Sequence, residues 1–264
     1  MPSLHAITGA GESRVEPRVR EITFADLKDA ALKGLDDFLA MPTHVVFLAI
    51  IYPLVGLFLA RLTFGHDILP LLFPLVAGYA LLGPFFAIGL YEMSRQRELG
   101  ADPSWRCAFK VFKNPSLDAI GALGMVLMIV FLLWLVAAMW LYQSLYGNAP
   151  TGSVTGFIGD ILTTQRGWML IIVGHAVGFP FAVLALVIGV FSFPMLLDRD
   201  VGALTAVRTS INAVLLNPLP MAAWGLFVAA ALAIGSLPFF VGLAVVMPVL
   251  AHASWHLYRR VVER

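Results

Sequence analysis

The chain has 264 residues, of which 60% are hydrophobic and only 12% are charged, and its formal net charge is +1 at pH 7. This composition excludes a water-soluble globular domain. The interleaving of acids with bases also leaves no basic patch for a nucleic-acid partner. Because Cys107 is the single cysteine, an intramolecular disulfide and a cysteine-rich metal site are excluded as well.

The N-terminal segment, residues 1–42, is predicted to be cytoplasmic and to contain one amphipathic helix. Residues 1–22 are polar and contain Gly and Pro, so they are predicted to be disordered, and they do not resemble a cleavable signal peptide. Thr23 followed by Asp26 is typical of a helix N-cap, and Pro42 predicts the end of the helix. Apolar side chains recur between them at helical spacing: Phe24, Leu27, Ala31, Leu35, Phe38 and Leu39. This helix carries more acidic than basic residues, which favours docking against the protein's own helices over binding to anionic lipid.

Five long stretches without Asp, Glu, Lys or Arg predict six membrane-spanning helices. A bilayer core about 30 Å thick needs roughly 20 apolar residues per helix. The third stretch holds one span and a polar loop, and the fifth holds two spans. The predicted fold is therefore all-α, a polytopic bundle of six transmembrane helices over residues 43–264 with short cytoplasmic amphipathic helices. The spans are placed near 44–61, 68–91, 119–141, 167–195, 219–236 and 238–257.

The distribution of Lys and Arg predicts the orientation. Fifteen of the 17 basic residues lie in the N-terminal segment, the 92–118 loop, the 198–218 loop or the C-terminus, and only Arg61 and Arg166 lie on the other side. Because cytoplasmic loops carry the excess of basic residues, both termini are expected in the cytoplasm.

The two cytoplasmic loops share one plan, which suggests a weak internal duplication. Each begins with charged residues, is expected to form a short amphipathic helix, and re-enters the membrane after an Asn-Pro pair, at Asn114 and at Asn217. Asn can cap a helix, and Pro fits the first helical turn. The pattern is compatible with two parallel repeats, and equally with the ordinary way for a helix to enter a bilayer.

Charged residues directly after the second and fourth spans form what we call the charged band. Its members are Glu92, Arg95, Arg97, Glu98, Asp198, Arg199 and Asp200. The favoured interpretation is an ion-pair cluster that fixes the helix ends, with at least one opposite-charge contact between the two loops. The alternative is a docking surface for a partner or for an anionic lipid headgroup.

Three histidines are the remaining candidates. His175 is the only ionisable residue inside the fourth span, and we expect a neutral ring bonded to a neighbouring helix, either as a structural contact or as part of a proton relay, ligand site or metal site. His252 and His256 lie four residues apart, a spacing that could bind a metal. With Trp255 and Tyr258 beside them, they are more typical of an interfacial aromatic belt. No catalytic, metal-binding or cofactor motif is present, so no cofactor is expected.

The segments LLGPFFAIGLYEMSRQRELG (81–100) and FSFPMLLDRDVGALTAVRTSINAVLLNPLPMAAWG (191–225) resemble the domain of unknown function 2189 family of predicted bacterial integral membrane proteins. The likeness runs from about Thr23 to the end of the chain. Gln96 stands where a second arginine is expected in the family's Ser-Arg-Arg run. The resemblance implies a bacterial inner-membrane location and transfers no activity or catalytic residue.

These observations favour a non-enzymatic accessory, assembly or scaffold subunit of another membrane system. Its expected partners are the lipid bilayer and either another membrane protein or a second copy of the chain. A small permease or channel is the alternative, with a polar route lined by His175, Tyr79, Ser192 and Ser236; an intramembrane enzyme is the third possibility. A water-accessible cavity around His175 would favour either of the last two.

Overall fold

The computed structural model describes residues 17–41, 53, 56–57, 69–101, 104–147, 154–237 and 241–263. Most of the predicted first span lies outside these residues. The α-helices of the described part are α1 Phe24–Ala40, α2 Leu72–Leu81, α3 Gly83–Phe86, α4 Ile88–Glu98, α5 Leu117–Tyr146, α6 Val154–Thr163, α7 Gln165–Gly189, α8 Ser192–Asp198, α9 Ala203–Leu216, α10 Pro218–Ser236 and α11 Leu243–Val261. Short 3₁₀ helices cover Leu69–Leu71 and Trp105–Lys113.

The predicted amphipathic helix at the N-terminus is confirmed as α1. It begins with a capping box, in which the backbone N–H and the hydroxyl of Thr23 both donate to Oδ2 of Asp26 at 2.9 Å. This arrangement satisfies polar groups that a helix start otherwise leaves unpaired. The helix ends at Ala40, two residues before Pro42.

Within the part of the chain that the structure describes, three helical segments are long and apolar enough to cross a membrane: Leu117–Tyr146, Gln165–Asp198 (α7 together with α8) and Pro218–Ser236. They correspond to the predicted third, fourth and fifth spans. The count of six spans is not confirmed in the described residues. The predicted sixth span forms α11, but Arg259 and Arg260 occupy its last turn.

The predicted second span is not one continuous helix. It is divided into a 3₁₀ turn, α2, α3 and α4, with breaks at Leu82 and Ala87. Pro84 lies between the breaks and cannot donate a backbone hydrogen bond, which favours interruption of the helix. α4 continues through the charged residues expected to form a loop, because Arg95 and Gln96 both donate to Glu92 on the same helix face.

The region after the third span contains a helix where a polar loop was expected. α6 covers Val154–Thr163. The sequence VTGFIGDILT places Phe157, Ile158, Ile161 and Leu162 at helical spacing. The segment also contains Gly and Thr, which are common in loops, and it was therefore predicted to be a polar loop.

The chain forms two compact units. The first unit comprises Met1–Pro53, Gly83–Met125 and Leu186–Arg264, and the second comprises Leu54–Leu82 and Val126–Ala185. Within the first unit, α1 packs along α11, which confirms its docking against the protein's own helices. Its buried face is Leu27, Ala30, Gly34 and Asp37.

The second unit is organised around Trp134 of α5. Its indole N–H donates to the carbonyl of Pro74 at 2.9 Å, and its ring lies 5.8 Å from that of Phe181. The glycines Gly78 and Gly178 allow close approach, because a Cβ at either would meet the Trp134 ring within 3.0 Å. Small residues thus let helices α2, α5 and α7 pack closely in this unit.

Candidate functional site: the Asp37 cluster

Helices α1, α4 and α11 of the first unit bring together a buried polar cluster. We call it the Asp37 cluster; its members are Asp37, Ser94, Arg97, His252 and His256. Asp37 is only 3% exposed, Ser94 1% and His252 0%. Polar groups at this depth are tolerated only when they are hydrogen-bonded.

The carboxylate of Asp37 is the centre of the cluster. Its Oδ2 atom lies 2.5 Å from the hydroxyl of Ser94 and 2.8 Å from Nε2 of His256. Its Oδ1 atom accepts a hydrogen bond from Arg97 at 2.5 Å. Arg97 also binds the neighbouring Asp36 at 2.8 Å. Charge-assisted hydrogen bonds of this kind are the strongest that side chains make.

The geometry assigns the protons. Ser94 Oγ also lies 2.6 Å from Nδ1 of His252, but a hydroxyl has a single hydrogen to donate. Because ionised Asp37 can only accept, Ser94 donates to Asp37 and accepts from Nδ1–H of His252. By the same argument, Nε2–H of His256 donates to Asp37. Nε2 of His252 is then a buried lone pair, and it has no hydrogen-bond partner among the described residues.

The cluster stabilises the charged form of Asp37. Burial by itself raises the pKa of Asp37, but the hydrogen bonds from His256, Ser94 and Arg97 together outweigh burial and lower the pKa to about 2. The cluster is therefore an ionised centre held between three helices at neutral pH.

This pKa predicts a specific loss of stability in acid. The carboxyl of Asp37 has a pKa of 3.8 when unfolded and about 2 when folded. Its contribution, about 2 kcal/mol, should be complete above about pH 4 and lost as the pH falls towards about 2. The measurement is the unfolding of detergent-solubilised protein across this range, compared with Asp37→Asn. An identical acid dependence in the two proteins would contradict the assignment.

The cluster contains Ser, His and Asp but differs from a nucleophilic triad. In such a triad the base bonds the serine through one ring nitrogen and the acid through the other. Here Ser94 lies between His252 and Asp37, and Ser94 and Asp37 both approach the same ring nitrogen of His252, Nδ1, at 2.6 Å and 3.9 Å. With Ser94 only 1% exposed, this geometry joins helices rather than presenting a nucleophile to a substrate.

The charged band is brought together in the first unit, as predicted. Nε of Arg95 lies 3.8 Å from Oδ1 of Asp198, which is the expected contact between the two loops. Asp198 also accepts hydrogen bonds from the hydroxyl of Tyr258 at 2.9 Å and from Arg259 at 3.0 Å. Arg259 in turn binds Glu98 at 2.9 Å. The band thus extends onto α11, which the sequence did not predict.

The other members of the band contribute unequally. Glu92 is 2% exposed and pairs with Arg95 on its own helix at 3.0 Å. Arg199 binds the carbonyl of Glu263 and lies 3.9 Å from Asp198. Asp200 is exposed and has no polar contact among the described residues. Arg97 belongs to the Asp37 cluster rather than to the contact between the loops.

Asp198→Ala is expected to lower the free energy of unfolding by about 2–3 kcal/mol, since it leaves Arg259 and Tyr258 without their shared acceptor. Asp200→Ala in the same loop should change it by no more than about 0.5 kcal/mol. Asp160→Ala in α6 provides a second comparison and should also cost far less. Thermal unfolding in detergent measures all three. Equal effects of Asp198→Ala and Asp200→Ala would show that the charged band does not fix the helix ends.

The two Asn-Pro asparagines connect distant segments of the first unit. Asn114 accepts from the backbone N–H of Ser116 at 2.8 Å, within the turn that precedes α5, and donates to the carbonyl of Leu197 at 3.0 Å. Asn217 occupies the N-cap position of α10 but makes no side-chain cap there. Its amide oxygen instead accepts from the backbone of Ile22 at 2.7 Å. The predicted helix-capping role is therefore wrong for Asn217, and Asn114 closes the turn at residues 115–116 that precedes α5 and does not cap the helix itself.

His175 of the second unit is exposed, and its Nδ1 lies 2.7 Å from the carbonyl of Ile171, one turn earlier in α7. Among the described residues, the ring therefore bonds its own helix and not a neighbouring helix as expected. Its ring lies 5.5 Å from that of Phe73. A histidine in a helix can hydrogen-bond within that helix, because its side chain lies close to the backbone carbonyl four residues earlier.

The aromatic-belt interpretation of α11 is also wrong. Trp255, Tyr258 and His252 are all 0% exposed, so they pack inside the protein instead of facing the membrane interface. The sequence did not indicate that Asp37 and Ser94 are the polar neighbours of His252. One signal was available: Asp37 continues the heptad-like spacing of Leu27, Ala30 and Gly34 on α1. Among the described residues, no group of three or more His, Cys, Asp or Glu is placed to hold a metal ion.

The comparisons with known proteins agree with the membrane assignment. Residues 72–198 match the family model DUF2189, described as a predicted integral membrane protein. The resemblance is thereby confirmed from α2 to α8, whereas Asn217 and the rest of the second motif lie beyond the match. No curated protein and no solved structure matches the chain. Because this family match is joined by three segments among the described residues that are apolar enough to cross a membrane, the chain is an integral membrane protein.

Proposed function

We propose that the protein is a non-enzymatic accessory or scaffold subunit of another membrane assembly, located in a bacterial inner membrane with both termini in the cytoplasm. The observation that carries the proposal is how its polar side chains in apolar helices are satisfied. His175 and Ser236 each bond a carbonyl four residues earlier in their own helix, and Ser192, at the start of α8, bonds the carbonyl of Ile188, four residues earlier at the end of α7. Such side chains are occupied locally, whereas a permeation path needs polar groups directed at a shared route.

The Asp37 cluster supports the same proposal. Ser94 bonds both Asp37 and His252, all three residues are only 0–3% exposed, and these contacts hold α1 and α4 against α11. A cluster of this kind stabilises one arrangement of helices, which is what a scaffold requires.

The apolar surfaces support a role within the bilayer. Almost none of the most apolar part of Gln165–Asp198 is buried inside the chain, and Trp168, Ile172 and Phe179 are more than half exposed. Lipid or a neighbouring membrane protein must cover this surface, because a continuous exposed apolar surface along a membrane-spanning helix is unfavourable in water.

The test combines assembly and transport measurements. The full chain is cross-linked in its native membrane, extracted in mild detergent and analysed by native mass spectrometry, in parallel with His175→Gln. A membrane protein bound in a fixed molar ratio, unchanged in the variant, supports the scaffold. The purified chain is also reconstituted in liposomes. The scaffold proposal is contradicted if the liposomes show solute or ion flux that His175→Gln abolishes. It is also contradicted if the chain is always extracted without a bound membrane protein.

The orientation is tested separately by reporter fusions. Fusions after Gly65 and Asn148 should report the periplasm, and fusions after Asp102 and Arg264 the cytoplasm, because basic residues are concentrated in the second set of segments. A reversed reporter at any of these points contradicts the proposed topology.

A further inference from the structure

A basic pocket opens beside the Asp37 cluster in the first unit. Its volume is about 330 Å³, and its lining residues are Arg20, Lys33, Glu98, His256, Arg259 and Arg260. Four cationic side chains thus face one carboxylate. The lining comes from the N-terminal segment, α1, α4 and α11. We propose that this pocket binds a phosphoryl anion, carried either by an anionic phospholipid headgroup or by free phosphate.

The counter-charges around the pocket show where the anion would bind. Arg259 is held by Glu98 at 2.9 Å and by Asp198 at 3.0 Å. Arg260 and Lys33 share Asp29, at 2.6 Å and 3.1 Å. These three cations are therefore partly neutralised, and Glu98 makes its side of the pocket unfavourable for an anion. The favourable side is the one that Arg20 lines.

Arg20 is the cation with spare binding capacity. Its Nε–H donates to the backbone carbonyl of Arg260. Asp26 interacts with it electrostatically at longer range, but among the described residues no carboxylate lies within salt-bridge distance of Arg20 and its two terminal nitrogens have no hydrogen-bond partner. A guanidinium presents its N–H groups as a planar fork that matches phosphate oxygens, and it stays charged at every physiological pH.

The backbone holds Arg20 in position before any ligand binds. Val19 forms an antiparallel bridge with Val262, and the backbone N–H of Arg20 donates to the carbonyl of Val261 at 3.0 Å. The carbonyl of Arg20 accepts from the side chain of Asn217 at 3.1 Å. Because both the N–H and the carbonyl of Arg20 are hydrogen-bonded, its backbone loses little conformational entropy when a ligand binds, which favours affinity.

Size and charge together define the ligand class. A volume of about 330 Å³ is at the small end of ligand pockets and exceeds a bare phosphate, so a phosphorylated headgroup or a small phosphorylated molecule fits. An open basic pocket next to apolar helices suits a lipid headgroup in particular, since basic sites near a membrane surface attract anionic lipid.

The test uses the full-length protein in detergent, with two probes and three variants. Native mass spectrometry counts bound phosphatidylglycerol against phosphatidylcholine, and isothermal titration measures inorganic phosphate. Arg20→Gln should weaken binding about tenfold, because it removes charge-assisted hydrogen bonds. Arg20→Lys should lose part of this affinity, since it keeps the charge without the fork. Arg18→Gln, in the same segment but outside the pocket lining, is the matched control and should change binding by less than about twofold.

The two probes distinguish the source of the phosphoryl group. Selective retention of phosphatidylglycerol that depends on Arg20 identifies a lipid headgroup. Arg20-dependent binding of inorganic phosphate without lipid selectivity identifies a soluble ligand. Thermal unfolding confirms that each variant is folded. If Arg20→Gln does not fold, the loss of binding is measured with Arg20→Lys alone. The proposal is overturned if neither probe binds, or if Arg18→Gln weakens binding as much as the Arg20 variants.

Discussion

Asp37→Ala is expected to lower the free energy of unfolding by about 3–5 kcal/mol, because it leaves buried partners without their acceptor. Arg97, Ser94 and His256 all donate to this one carboxylate. The Asp37 side chain is only 4% exposed, so water cannot replace it without opening the contact between α1 and α11. Detergent-solubilised full-length protein, unfolded by heat or denaturant and followed by tryptophan fluorescence, measures the loss.

Asp36→Ala is the matched control. Asp36 also binds Arg97, at 2.8 Å, but its side chain is 70% exposed. An exposed ion pair contributes no more than about 1 kcal/mol, so the control should remain close to the unsubstituted protein. Asp37→Asn should lie between the two, because it keeps the shape and loses the charge. Equal losses at positions 36 and 37 would show that burial does not set the strength of this interaction.

The sequence predicted α1 but not which of its faces is buried. The capping residues Thr23 and Asp26 and the helical spacing are local signals, and local signals locate helices well. Leu35 and Leu39 belong to the predicted apolar face, yet they are 40% and 63% exposed. Asp37 lies on the buried face instead. Its partners Arg97 and His256 are 60 and 219 residues away along the chain, and periodicity carries no information at that distance.

Contacts between residues distant in sequence also explain why the aromatic-belt prediction for α11 was wrong. Trp255 and Tyr258 next to charged residues are typical of a membrane interface, but covering helices decide whether such residues face lipid. The indole of Trp255 donates to Glu98 of α4 at 3.2 Å, and the hydroxyl of Tyr258 donates to Asp198 at 2.9 Å. By contrast, the contact between Arg95 and Asp198 was predictable, because charges placed at one membrane depth by two helix ends tend to pair.

Gly34→Val is expected to cost about 3 kcal/mol, through direct overlap between α1 and α11. A Cβ atom at Gly34 would lie 2.5 Å from the backbone nitrogen of Ala253 and 2.6 Å from its Cβ. Backbone atoms cannot rotate away as a long side chain can, so the two helices must separate. Gly34→Ala should also destabilise, although alanine favours the helical state by about 1 kcal/mol over glycine.

Gly121→Ala is the control for the helical preference alone. A Cβ at Gly121 has no neighbour within 4 Å, so this variant should be neutral or more stable by up to about 1 kcal/mol. A neutral Gly34→Ala would show that α1 does not approach Ala253 as closely as the structure indicates.

The double variant Gly34→Val/Asp37→Ala tests whether α1 is held as one unit. Gly34 and Asp37 lie on the same buried face of α1. Once the overlap at Gly34 has separated α1 from α11, the bond between Asp37 and His256 is already lost. The second substitution should then remove little more, and the combined loss should fall short of the sum by about 2 kcal/mol. Limited proteolysis should cut α1 in both single variants and in the double variant. Strictly additive losses would mean that each residue stabilises a separate part of the first unit.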